Sequence, residues 1–316
     1  MKFIDFFAGI GGFREGLEHN GHTCVGWCEY DKFKQRAYRA VHNTEGEWFK
    51  DDITTVQSEE LPEADLYVGG FPCQSFSIAG KQGGFKDTRG TLFFEFMQLA
   101  KERKPKYLLL ENVKGLLSHN GGSTFGTILN TLWECGYNAE WQVLNSKDFG
   151  VPQSRERIFI VGYLRGQPRP KIFPIRRRHS NSLRQIIGGS QGNRVYDIKG
   201  TSCTLAGKAG GKGAKTGLYN VRVCLTPNRI KKRQNGRRFK EPGEPSFTLT
   251  KQDIHGVAYE NKIRRLTPLE CFRLQGFPDK WHDKCKKDGI SDTQMYRAAG
   301  DSVTVNVIEE IGRRLN

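Results

Sequence analysis

The 316-residue chain contains no run of about eighteen apolar residues, which argues against a membrane-spanning helix. Its first residues, Met1-Lys2-Phe3-Ile4-Asp5, carry no signal-peptide pattern and lead straight into a strand-like segment. The eight cysteines show no paired spacing, so free thiols in a reducing cytosol are expected rather than a disulfide framework. Cys24 and Cys28 lie close together, but no second Cys or His pair follows at a metal-site distance, and no metal is expected. Acidic excess is also missing. Between Arg165 and Arg265 there are 24 basic and 5 acidic residues, whereas the remainder has 26 and 29. The formal charge of +16 is therefore concentrated in one block, interspersed with glycine and with Tyr196, Tyr219, Phe239 and Phe247. Such a block suits a polyanion, although a solvated basic insert would have the same composition.

Hydrophobic residues make up 36% of the chain, enough for a substantial core. Short apolar runs at Lys2–Phe7, Thr23–Glu29, Leu66–Gly69, Tyr107–Glu111 and Ile158–Tyr163 predict strands, the last three buried and parallel. Helices are predicted near Phe13–Asn20, Lys32–His42, Thr91–Lys104, Ser123–Cys135 and Val303–Leu315. This alternation implies an α/β fold with a doubly wound, mostly parallel sheet. From about Arg165 helical periodicity fades, and a small, irregular, β-rich second domain is expected. Thr201-Ser202-Cys203-Thr204-Leu205 weakly echoes Pro245-Ser246-Phe247-Thr248-Leu249 there. Regular structure returns at Leu266-Thr267-Pro268, with Thr as N-cap and Pro at the first helical position. The expected division is a catalytic domain over residues 1–180 completed by 296–316, a recognition domain over 181–265 and a hinge over 266–295.

Six segments carry the chemistry. They are Asp5-Phe6-Phe7-Ala8-Gly9-Ile10-Gly11-Gly12, Gly70-Phe71-Pro72-Cys73-Gln74, Glu111-Asn112-Val113, Gln153-Ser154-Arg155-Glu156-Arg157, Arg265-Leu266-Thr267-Pro268-Leu269-Glu270-Cys271 and Gly300-Asp301-Ser302-Val303. The glycine turn after the first strand lets the backbone approach a ligand, and Glu29 after the second strand is placed for ribose hydroxyls. A lone glycine loop would also fit a dinucleotide enzyme. The six segments in this order resemble the cytosine-5 DNA methyltransferases of the compact bacterial or phage type, over nearly the whole chain. A Rossmann-like S-adenosylmethionine-dependent fold with a target-recognition domain is what this resemblance implies.

The resemblance implies that Cys73 is the nucleophile that adds to carbon 6 of a flipped-out cytosine, a step that needs a thiolate. Buried, inert thiols are the expectation for Cys24, Cys135 and Cys271. Glu111 is implied to face ring nitrogen 3, a role that calls for a carboxyl pKa raised by burial. Arg155 and Arg157 alternate, so on an extended segment they share a face. They are implied to position the cytosine, its phosphate and the catalytic groups; an ion pair with Glu156 is the plainer alternative. After methyl transfer a base must remove the carbon-5 proton before Cys73 leaves; the sequence names no residue for this step, and bound water would serve. The cofactor would be S-adenosyl-L-methionine, with S-adenosyl-L-homocysteine as product and no metal. It would be held by Phe7, Gly9, Gly11, Gly12, Glu29, Asp52, Ile53, Pro72, Leu92, Asp301 and Val303. Asp301 departs from the family, most of whose members have Asn there beside the methionine moiety of the donor.

Double-stranded DNA is the expected partner. The Gly- and Lys-rich stretch from Ser75 to Arg89, including Lys81, is expected to close on the duplex, and Gln191 to fill the space that the flipped base vacates. Arg222, Arg229 and Gln252 are candidates for base contacts. A monomer in the bacterial cytosol or nucleoid is expected, either in a restriction-modification system alongside an endonuclease that it does not touch or as a phage or orphan enzyme. Three other readings compete: a tRNA cytosine-5 methyltransferase, an inactive homologue acting as a DNA-binding regulator, and a nicotinamide oxidoreductase. The long basic block favours DNA over tRNA, and the complete set of Cys73, Glu111, Arg155 and Arg157 favours an active enzyme. The turn's Gly-Ile-Gly-Gly sequence and the Cys73 and Glu111 segments disfavour a nicotinamide cofactor.

Overall fold

A computed structural model of the protein describes residues 1–72, 92–176, 185–187, 195–196, 222–225, 239–241, 244–250, 255–259 and 262–315. The chain begins with β1 (Lys2–Phe6), α1 (Gly12–Glu18), β2 (Thr23–Cys28), α2 (Lys32–Val41), β3 (Trp48–Lys50) and β4 (Leu66–Gly70). It continues with α3 (Leu92–Arg103), β5 (Tyr107–Val113), α4 (Ser123–Glu134), β6 (Tyr137–Asn145) and β7 (Glu156–Leu164). These seven strands form one sheet in the order β3-β2-β1-β4-β5-β7-β6. The period-2 alternation of each strand divides the core into two layers. Ile4, Phe6, Tyr67, Leu108, Leu110, Ile158 and Ile160 face one way, against Phe93, Phe96 and Met97 of α3 and Ile128 and Leu132 of α4. Phe3, Leu66, Val68, Leu109, Phe159 and Val161 face the other way, against Phe13 and Leu17 of α1. The C-terminal helix α8 closes this second layer, as described below.

The sequence reading of Ile158–Tyr163 as a parallel strand is corrected. β7 runs antiparallel to β5, with Leu110 opposite Ile160 and Val113 opposite Arg157. It also forms an antiparallel hairpin with β6, which the sequence reading missed. An unbroken apolar run reports burial on both faces and is blind to strand direction. The direction matters for the site. In an antiparallel β7 the first residues, Glu156 and Arg157, lie beside the last residues of β5.

Short strands follow: β8 (Gln185–Ile187) pairs with β9 (Val195–Tyr196), and β10 (Arg222–Leu225), β11 (His255–Tyr259) and β12 (Lys262–Arg265) form a three-stranded antiparallel sheet. α5 (Pro268–Leu274), α6 (Asp279–Lys287), α7 (Asp292–Asp301) and α8 (Val305–Leu315) complete the chain. Thr267 caps α5 as expected, in a reciprocal box with Glu270. Val307, Ile308, Ile311 and Leu315 of α8 seat on the α1 side of the sheet. Phe272, Phe277, Trp281, Met295 and Ala299 pack with Ile10, Ala37 and Val41, which ties the 268–301 helices to α2 and the glycine turn. No described helix is long and apolar enough to cross a membrane.

Candidate active site

Strand order reverses at β1. From β1 the chain moves to β2 and β3 on one side, then returns to β4 and β5 on the other. In open α/β sheets the crevice beyond the carboxyl ends of strands at such a point receives ligands. The residues beyond those ends here are the glycine turn after β1, Glu29 after β2, Phe71 and Pro72 after β4, and Glu111-Asn112 at the end of β5.

The turn is held in a conformation that only part of its sequence adopts easily. Gly9 and Gly11 have φ of 61° and 87°, and Phe7 also lies in the left-handed region at 55°. Gly11 has a second constraint, since a Cβ there would come within 2.0 Å of His42 Nε2. The Glu29 carboxylate fastens the turn: Gly9 N–H donates to Oε2 and Asp31 N–H to Oε1, both at 2.8 Å. A Cβ at Gly9 would meet nothing within 4 Å among the described residues, so they leave the turn open on that side. Gly12 instead abuts the 300–303 segment, where a Cβ would lie 2.6 Å from Ser302 Oγ and 2.8 Å from Val303 Cγ2.

Phe7 and Leu92, both half-buried, pack on the apolar cluster that contains Ile53 and Phe71. Asp52 spends one carboxylate oxygen on the N–H and hydroxyl of Thr54, capping a short turn. Asp301 is paired with Lys34 of α2 at 2.9 Å. The structure thus brings Phe7, Gly9, Gly11, Gly12 and Glu29 together with Ser302 and Val303, and Phe7, Ile53 and Leu92 share one apolar cluster. Pro72 is exposed just past β4.

Glu111 is buried. Its Oε1 lies 3.1 Å from Arg157 Nε, and its Oε2 would lie 3.0 Å from a Cβ at Gly70. Burial raises its carboxyl pKa above the ordinary value, against the opposing pull of the Arg157 and Arg155 charges. Gly70 is thus small where the carboxyl needs room. Asn112, quoted within its segment but assigned no role from sequence, donates from Nδ2 to Phe71 O at 2.8 Å and accepts Val113 N–H on Oδ1. It thereby pins the backbone two residues before Cys73.

Arg155 and Arg157 differ in task. Arg157 turns to Glu111 and also donates to Glu156 O, while the Glu156 carboxylate pairs with Lys114. Arg155 is 3% exposed and donates to Leu249 O at 2.8 Å, Gly300 O at 3.1 Å and Ser302 O at 2.7 Å. Burial, assisted by the Arg157 charge, lowers its pKa to about 9, so the guanidinium stays charged at neutral pH. Gln153 works beside it. Its amide donates to Leu274 O and accepts Leu249 N–H, and Ser154 N–H bonds to Ser246 O. The 246–249 segment is therefore strung along 153–155, a connection without a local signal in the sequence because the Arg155 and Gln153 side chains meet backbone groups 94 and 96 residues away.

Cys73 lies outside the described residues, as do Ser75, Lys81, Arg89, Gln191, Arg229 and Gln252; Arg222 begins β10, and its side chain is not described. Cys24, Cys28, Cys135, Cys271 and Cys285 are buried. Burial pushes the Cys24 thiol up to about 12 and the Cys135 thiol to about 11, which leaves them inert at neutral pH.

A family model for C-5 cytosine-specific DNA methylases matches residues 1–316. The chain is 33% identical to the orphan methyltransferase M.SPRI of Bacillus phage SPR, covering 100% of this chain and 97% of that protein. It is 34% identical to the type II methyltransferase M.HhaI of Haemophilus parahaemolyticus, with 100% and 95% coverage. Identity to the type II methyltransferase M.SsoII of Shigella sonnei is 39%, over 99% of this chain and 79% of that one. The solved structure of the Dnmt2 methyltransferase of S. pombe has a TM-score of 0.60 at 18% identity, covering 98% of this chain and 96% of its own, a likeness of fold.

Proposed function

This chain belongs to the C-5 cytosine-specific DNA methylases, and from that premise we propose that it methylates carbon 5 of a flipped-out cytosine in duplex DNA at the carboxyl edge of β1, β4 and β5. The observation that carries the site assignment is the placement of Glu111. It is buried with a raised pKa, touches Arg157, and lies beside the Asn112-pinned segment that leads into Cys73.

The residues at the glycine turn fit S-adenosylmethionine. Gly9 leaves the turn open, and the Glu29 carboxylate, with two of its roughly four lone-pair sites taken by N–H groups, can still accept from ribose hydroxyls. Phe7, Ile53 and Leu92 offer an apolar wall for the adenine, with Asp52 and Pro72 at its margin. Gly11 and Gly12 set the shape of the turn, and Asp301 and Val303 border it. When bound, S-adenosylmethionine supplies an electrophilic methyl group on its sulfonium.

The chain's own residues do the rest. The Cys73 thiolate forms a bond to carbon 6, and the ring electrons shift toward nitrogen 3. Glu111, whose proton affinity burial raises, donates a proton or a strong hydrogen bond to nitrogen 3 and so stabilises that charge. Carbon 5 thereby becomes nucleophilic and accepts the methyl group. A bound water then removes the carbon-5 proton as the bond to Cys73 Sγ breaks. Arg157 orients Glu111, and Arg155 holds the 300–302 segment against the edge.

Residues 1–180 with 296–316 form the catalytic domain in this reading, 181–265 the recognition domain and 266–295 the hinge between them. The basic block takes the phosphates, with Arg222, Arg229 and Gln252 as base contacts and Gln191 in the vacated space. Ser75, Lys81 and Arg89 close over the duplex. The protein acts as a monomer in the bacterial cytosol, in a restriction-modification system beside an endonuclease that it does not touch or as an orphan enzyme.

The experiment is covalent trapping on duplexes that carry 5-fluorocytosine in varied sequence contexts, because fluorine at carbon 5 cannot leave as a proton. A donor-dependent shifted band on a denaturing gel, absent in Cys73→Ala, is expected. Donor binding without a band on any duplex would overturn the reading.

A further inference from the structure

Asp301 puts a carboxylate at the edge of the glycine turn. Its neighbours Ser302 and Val303 abut Gly12, and the Glu29 carboxylate holds Gly9. Asp301 is not left as a free charge. Lys34, in the first turn of α2, brings Nζ to 2.9 Å from Asp301 Oδ2, with the two side chains only 19% and 27% exposed. Burial alone would lower the Lys34 pKa, but the charges of Glu29 and Asp301 outweigh it and raise the ammonium above its ordinary value. Lys34 thus faces Asp301 directly and also feels Glu29 and Asp31, while Arg155 is a second cation within reach of the Asp301 charge. The fully buried face of α2 is made by Gln35, Ala37, Tyr38 and Val41, and Lys34 lies at its margin.

We propose that Lys34 is a charge-balancing positioning residue of the donor pocket, which neutralises Asp301 so that the pocket accepts the carboxylate of the donor's amino-acid end. This rests on the reading of the glycine turn as the donor site. An uncompensated Asp301 would repel that carboxylate across a partly buried cleft, where charges are screened far less than in water. Asn in place of Asp301 would need no such partner, so the lysine and the aspartate make sense as a pair.

The test is calorimetric titration of the full chain with S-adenosylhomocysteine and, separately, with 5′-methylthioadenosine, which lacks the amino-acid end. Wild type, Lys34→Met, Asp301→Asn and the double variant form a cycle. Lys34→Met is expected to weaken S-adenosylhomocysteine binding about tenfold, and Asp301→Asn in the same chain to restore it to within about threefold. Affinity for methylthioadenosine should be the same in all four proteins. Unchanged or tighter binding of S-adenosylhomocysteine by Lys34→Met would overturn the proposal while leaving the donor site in place. So would an equal loss for both ligands, or a loss that Asp301→Asn does not repair, since Lys34 would then merely support the fold. Failure of wild type to bind S-adenosylhomocysteine would remove the donor reading itself and this inference with it.

Discussion

The imidazole beneath the glycine turn makes the fold acid-sensitive in a way that can be worked out. His42 is 9% exposed, and its ring packs against Tyr38 and edge-on to Trp281, at centroid distances of 4.6 and 4.7 Å. Nε2 lies 3.4 Å from Ile10 O, an acceptor only, so the proton of the neutral ring sits on Nε2. Burial, reinforced by the Arg14 charge, lowers its pKa from 6.5 to about 3. Between those values the unfolded chain binds a proton that the folded chain refuses. Stability therefore rises with pH through this window and is lost as pH falls from about 6.5 toward 3. Taking the unfolded imidazole at its ordinary value, the cost of moving from pH 7 to pH 5 is about 2 kcal/mol. His42→Gln retains a donor for Ile10 O but cannot take up a proton. Urea unfolding of both proteins at pH 7 and pH 5 should show the wild-type stability falling relative to the variant by about 2 kcal/mol. Other titrating groups act in both proteins and drop out of the comparison. Parallel pH dependence in the two would refute the assignment of a protonation-resistant imidazole at this position.

Arg155→Met should destabilise the protein by about 3–5 kcal/mol, because three buried carbonyls lose a charged donor together; chemical denaturation measures this, and a loss below about 1 kcal/mol would mean that the carbonyls find other partners. Glu111→Gln should lower the methylation rate by about 10²–10⁴-fold with duplex binding retained. Since burial raises the Glu111 pKa, the wild-type rate should decline as pH climbs through that raised value, and this alkaline limb should be missing from the Glu111→Gln pH–rate profile. Duplex affinity should fall steeply with salt, with a log–log slope of roughly −0.9 for each phosphate neutralised, as fluorescence anisotropy would record; a flat response between low and high salt would remove the basic block from the interface.

How far the site could be read in advance depends on how local each residue's task is. The glycine turn was legible because positive φ and close approach leave a signature at single positions, and Gly9 and Gly11 have both the conformation and the contacts that demand glycine. β6 carries a signal of another kind: at the edge of the sheet, Tyr137, Ala139, Trp141 and Val143 alternate with Asn138, Glu140 and Gln142, a half-buried strand pattern that a reading for unbroken apolar runs passes over. β3, at three residues, is too short to establish a period. Asn112 escaped because its partner is a backbone carbonyl, which any residue at position 71 would supply. Lys34 escaped because its partner is Asp301, far along the chain and on another helix.

The direction of β7 shows what these separate omissions have in common. The apolar run at Ile158–Tyr163 marks an extended, buried segment, yet a parallel β7 would have carried Arg157 to the far edge of the sheet, a strand length from Glu111. The reversal depends on the β6–β7 hairpin, and that hairpin depends on an edge strand with weak apolar character. Once β7 runs back along β5, Arg157 falls opposite Val113, and its guanidinium reaches the Glu111 carboxyl two residues away. The same reversal lets the residues just before the strand, Gln153 to Arg155, meet Leu249, Gly300 and Ser302. Burial raises the Glu111 pKa, Arg157 restrains that rise, and Arg155 secures the neighbouring loop. The acid–base character of the edge therefore follows from strand direction, a property of long-range pairing and not of the residues that it brings together.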